Sequence, residues 1–93
     1  MFKRISKAER LEIAVTLLQD QINYTLEIWG DNPENLNTYA WGWRGEHEVG
    51  NNHGSSFYYA DEVIKILVAL ELNWHLSLKE NADGELTPTI RFF

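Results

Sequence analysis

The chain contains no cysteine. That absence excludes disulfides, thiolate nucleophiles and cysteine-bound zinc, and it fits a reducing compartment. Long hydrophobic runs are also missing. The most apolar stretch, residues 63–72, carries Lys65 and Glu71 and falls far short of the roughly 20 residues that span a bilayer. The opening residues are basic, but Lys7, Glu9, Arg10 and Glu12 interrupt any signal-peptide core. A cytoplasmic protein with no membrane partner is the expectation.

Basic side chains are scarce after the first ten residues. Residues 1–10 hold Lys3, Arg4, Lys7 and Arg10 against Glu9, whereas residues 11–93 hold 4 basic and 13 acidic side chains. Most of the surface should repel phosphate backbones, so nucleic acid is not an expected partner. The basic opening reads as solvated helix surface. No glycine-rich phosphate loop and no Gly-x-Ser-x-Gly elbow occur, and no cofactor is expected.

What is present fits a small globular protein. The 93 residues are 44% hydrophobic and 24% charged, the size and balance of one domain spanning 1–93. An offset of 50 residues aligns similar side chains without a gap: Ile13 with Val63, Leu17 with Leu67, Asn23 with Asn73, Leu26 with Leu76, Ile28 with Leu78. The halves, 5–44 and 55–93, follow one grammar. Ser6 and Glu9 frame a capping box, and Leu11, Ala14, Val15, Leu18 and Ile22 recur at helical spacing. Ser55 or Ser56 caps the second helix, with Ile64, Leu67, Val68 and Leu72 on its apolar face. Tyr24, Leu26 and Ile28 alternate with polar neighbours, as do Trp74, Leu76 and Leu78, and both segments read as strands. Turns at 30–35 and 81–84 lead to second strands over 37–48 and 86–92.

The expected fold class is α+β: a two-layer αββαββ sandwich, pseudo-duplicated, with two helices on one face of a four-stranded antiparallel sheet. Pro88 lacks an N–H, which argues for an edge position of its strand and puts the first strand of each half at the centre.

The repeat also predicts a surface. If Leu86, Ile90 and Phe92 face the helices, so do Leu36, Ala40 and Gly42. Trp29, Tyr39, Trp41 and Trp43 then share the open sheet face, with Arg44, His75, Lys79, Arg91 and Phe93 beside them. Exposed aromatics flanked by arginine mark contact surfaces. One bulge near residue 38 reverses the assignment and sends Trp41 and Trp43 into the core.

These features point to a non-enzymatic protein-interaction module: an inhibitor, an immunity-type or regulatory protein, or a homodimer, with Trp29, Tyr39, Trp41, Trp43, Arg44 and Arg91 as binding residues. One alternative is a binder of single-stranded nucleic acid or of a small ligand, which would stack on the same aromatics. Another is a metal-dependent enzyme built on the 46–53 loop with Glu46, His47, Glu48 and His53, whose spacing matches no metal motif. Ser55 or Ser56 with His53 and Asp61 lacks the context of a triad. No catalytic or metal-ligating residue is assigned.

Overall fold

A computed structural model describes residues 5–29, 40–51, 59–80 and 84–93. In chain order the elements are α1 (Lys7–Trp29), β1 (Trp41–Gly45), β2 (Glu48–Asn51), α2 (Ala60–Ala69), β3 (Trp74–Glu80) and β4 (Leu86–Phe92). The two helices and the four-stranded antiparallel sheet form an α+β fold.

The capping residue of α1 works as its spacing implies. Glu9 N–H donates to Ser6 Oγ at 3.1 Å, and Arg10 N–H to Ser6 O at 3.0 Å. Ala14, Leu18, Ile22 and Thr25 then form one buried face. That face continues through the segment expected to be the first strand. Residues 24–29 are helix, and the reason is cooperativity. A helix already nucleated extends at one bond per residue, and no Gly or Pro interrupts this one before Gly30. The period-two alternation of Tyr24, Leu26 and Ile28 is incidental, and these side chains stand exposed on the helix. Residues 22–28 and 72–78 therefore occupy different kinds of element.

Helix α2 starts later than either serine cap. Its N-cap is Tyr59, in left-handed backbone with no side-chain cap bond. Ser55 and Ser56 lie outside the described residues. Ala60, Val63 and Leu67 form the buried face of α2, while Val68 is exposed. At its other end Leu72 N–H reaches back to Leu67 O and Glu71 N–H to Val68 O. Glu71 takes the positive φ of 56° that such a terminus requires. Arg10 completes this end from α1: Nη1 donates to Leu70 O at 3.1 Å and to Glu71 O at 2.9 Å. A cation there suits the negative end of the helix. Arg10 is thus a tertiary cap, which corrects for this one residue the view of the basic opening as plain solvated surface; Lys3 and Arg4 lie outside the described residues.

The strand order is β1-β2-β4-β3. β3, the first strand of the second half, lies at an edge and the Pro88 strand is internal, the reverse of the expected order; the first strand expected of the first half is helix, and the strand expected over 37–48 is divided between β1 and the start of β2. The hydrogen-bond alternation explains how Pro88 is accommodated. Asn73 and Phe93 exchange two bonds, at 2.9 and 3.0 Å. Odd-numbered residues of β4 therefore bond to β3, and even-numbered ones turn toward β2. Phe92 N–H accordingly donates to His47 O at 3.0 Å. Pro88 aims its missing donor toward β2, just past the point where that ladder stops, at Gly50 opposite Thr89.

The core joins Ala14, Leu18 and Ile22 of α1 and Ala60, Val63 and Leu67 of α2 to Trp41, Val49, Ile90 and Phe92 of the sheet, with Leu70 and Leu72. Thr25 ties α1 to β1: its hydroxyl donates to Ile22 O at 2.8 Å and accepts from Trp41 N–H at 3.0 Å.

Candidate interaction surface

The register overturns the expected aromatic platform. Trp41 lies opposite Asn51, Trp43 opposite Val49, and Val49 opposite Ile90. Trp41 and Trp43 therefore share the helix-facing side with the core. Trp41 is fully buried. Trp43 packs on the cluster and donates its indole N–H to Gln19 Oε1 of α1 at 2.8 Å. The phase along β1 is one residue from the phase inherited from the second half, and one residue exchanges the two faces of a strand. Tyr39 lies outside the described residues, as does the side chain of Trp29 at the end of α1.

Arg44 and Arg91 do reach the outer face. Arg44 is the extra residue where the β1–β2 register shifts between Trp43 and Gly45. Its stem lies over Gly50: a Cβ there would sit 3.1 Å from both Arg44 Cγ and Thr89 Oγ1. Glu48, Arg91 and His75 form one cross-strand row, and Gly50, Thr89 and Ser77 the next. Lys79 Nζ reaches Glu48 Oε1 at 3.5 Å, and the Arg91 guanidinium stands 5.2 Å from the Phe93 ring centre. Thr89 is buried although it faces away from the helices. Long polar side chains laid flat over the strands cover this face. It is a basic, hydroxyl-lined surface and not a row of stacked rings.

Glu46 and His47 form the turn between β1 and β2, and the His47 ring packs 5.2 Å from that of Phe92. Glu48 is engaged with Lys79, and His53 lies outside the described residues. Among the described residues no three His, Asp or Glu side chains converge as a metal site would require.

The surface that stands open is on the other side, at the β3 edge. Even-numbered β3 residues face the helix side, opposite Phe92, Ile90, Pro88 and Leu86. Leu76 packs against the core, but the even-numbered residues on either side of it lie beyond the cover of the helices. Trp74 is 40% exposed, Leu78 49% and Leu86 54%, so the core layer ends in an uncovered apolar strip. The strand edge beside it has no strand partner among the described residues, where β3 pairs only with β4. Since odd-numbered residues bond to β4, the N–H and C=O groups of Trp74, Leu76, Leu78 and Glu80 point outward. The only charges along β3 are at its end, on Lys79 and Glu80, with His75 near its start. Alternation in the sequence shows which side chains share this face. It does not show how far the helices extend over the sheet, and so the strip was missed.

A second apolar concavity, of about 510 Å³, runs between α1 and α2, lined by Ile13, Leu17, Ile66, Ala69 and Leu70 with Glu62 and Lys65 at its rim. It offers aliphatic contact. No helix among the described residues is long and apolar enough to cross a membrane. Comparison with models of known protein families, with curated proteins and with solved structures found no match.

Proposed function

We propose that this chain is a non-enzymatic protein-interaction module whose contact surface is the open edge of β3 with the strip of Trp74, Leu78 and Leu86. One observation carries the reading: ladder groups with no strand partner among the described residues and exposed apolar side chains coincide along a seven-residue strand. A strand added to such an edge gains main-chain bonds and sets its own alternate side chains beside Trp74 and Leu78. Left open, such an edge is an aggregation risk that sheet proteins ordinarily blunt with charge, proline or a bulge. An inhibitor, an immunity-type protein or a regulatory subunit would use a surface of this kind. The test is partner capture from native extract with wild type, Leu78→Lys and Val68→Lys. Val68 is 58% exposed on α2 and serves as the control. Loss of captured chains with Leu78→Lys alone is the expected result. Equal capture by all three rejects the surface.

A second reading has its own support. Of the four basic residues after residue 10, Arg44, Lys79 and Arg91 gather on the outer face, and only Lys65 lies elsewhere. That face would suit a small anionic ligand or a single strand of nucleic acid, through charge and without the stacking tryptophans. A labelled oligonucleotide that fails to bind at low salt removes the nucleic-acid version.

A further inference from the structure

We infer that the occupant of the β3 edge is a second copy of this chain, running antiparallel about a two-fold axis through Ser77. This rests on the interaction-module reading above. The outward groups belong to Trp74, Leu76, Leu78 and Glu80, two on each side of Ser77. An axis at Ser77 sets Leu76 against Leu78 of the second copy, and Trp74 against its Glu80. Every outward N–H then meets an outward C=O, and the two sheets merge into one of eight strands. An axis at Leu76 leaves Glu80 unpaired, and an axis at Leu78 leaves Trp74 unpaired, so only the Ser77 register uses all four positions.

The side chains agree with this register. On the helix side Leu76 and Leu78 of one copy face Leu78 and Leu76 of the other, so each leucine gains an apolar cross-strand neighbour at the seam. Glu80 lies along the Trp74 ring of the second copy, not against a carboxylate. On the outer side Ser77 meets Ser77, and His75 meets Lys79. Charge is the obstacle to be met, since each copy carries a net charge of −6. At the seam it is largely avoided: the two Glu80 side chains are six residues apart in register, about 20 Å, more than twice the Debye length of about 8 Å at physiological salt.

A single cysteine tests the register cleanly, because the chain has none of its own. Residues facing each other across a non-hydrogen-bonded site have Cα atoms about 4.5 Å apart, within disulfide reach. Ser77→Cys should oxidise to a covalent dimer. His75→Cys should not, since its mate stands four residues away, about 14 Å. Cross-linking at position 75 and not at 77 overturns the inference. Light scattering over a wide concentration range should show dimer growing with concentration. Leu78→Lys should weaken that dimer at least tenfold, and Val68→Lys should leave it unchanged. Equal weakening by both variants also overturns it, and circular dichroism verifies that each variant is folded. A monomer at every concentration sinks the dimer, and amide exchange then separates two failures. Fast exchange at Leu76 and Leu78 means the edge is open to other chains, and only the second copy is wrong. Exchange as slow as at Ser77 means the edge is closed within the chain, and the surface itself is wrong.

Discussion

Arg10 shows how much one side chain can join in a chain this small. It leaves the first turn of α1, crosses to α2 and donates to the two carbonyls that end it, Leu70 O and Glu71 O. Those carbonyls have no intrahelical partner. The contact links residues 60 apart, so it holds the helix pair together rather than either helix alone. Arg10→Ala should lower stability by about 1–3 kcal/mol, the range for a charged hydrogen bond and an orphaned acceptor. Chemical denaturation measures this directly. A loss below about 0.5 kcal/mol, the scale of an ordinary surface substitution, would return Arg10 to plain solvated surface. Local sequence reveals the Ser6 cap because its partner is three residues on. It cannot reveal Arg10 as a cap, because the partner is reached only through the packing of α1 on α2.

Two strong local patterns compete at the scale of the element. In residues 22–29, period two marks Tyr24, Leu26 and Ile28, while the spacing of Ala14, Leu18, Ile22 and Thr25 continues a helix. The helix prevails because it is already nucleated and because it places Thr25, not Leu26, against β1. The double variant Leu26→Gln, Ile28→Gln should therefore change stability by no more than about 1 kcal/mol, two surface substitutions on exposed helix positions. The same changes in a half-buried strand would remove core side chains and cost several kcal/mol. Thermal unfolding followed by far-UV circular dichroism distinguishes the two. The hairpin of β3 and β4 is the opposite case. There the alternation is uncontested, Gly84 supplies the positive φ of 80° in the connection, and the element boundaries match those read from sequence to within two residues.

At the scale of the whole molecule, the helices cover part of one sheet face and leave β3 at the margin. This decides what each tryptophan does. Trp41 is core, so Trp41→Ala should destabilise by about 3–5 kcal/mol. That is a large share of the roughly 5–15 kcal/mol that holds a typical domain folded. The variant should show a depressed melting temperature and not merely a changed mass in solution. A stable Trp41→Ala that only alters self-association would put the ring back on a contact surface. Trp74, 40% exposed at the β3 margin, takes the place at the candidate interface first assigned to Trp41 and Trp43. The correction is one of phase, since a strand displaced by one residue exchanges its two faces.

The α+β class, the antiparallel sheet, the start of α1, the β3–β4 hairpin and many core side chains follow from local physics, because capping, helical spacing and alternation act between residues close in sequence. Ser6, Ala14, Leu18, Leu67, Ile90 and Phe92 were legible for that reason. Which strand is internal, which way Trp41 and Trp43 point, what Arg10 caps and where the apolar layer runs out were decided only in three dimensions. Each depends on the register between segments far apart in the chain, or on the reach of a helix over a sheet, and neither leaves a period in the sequence.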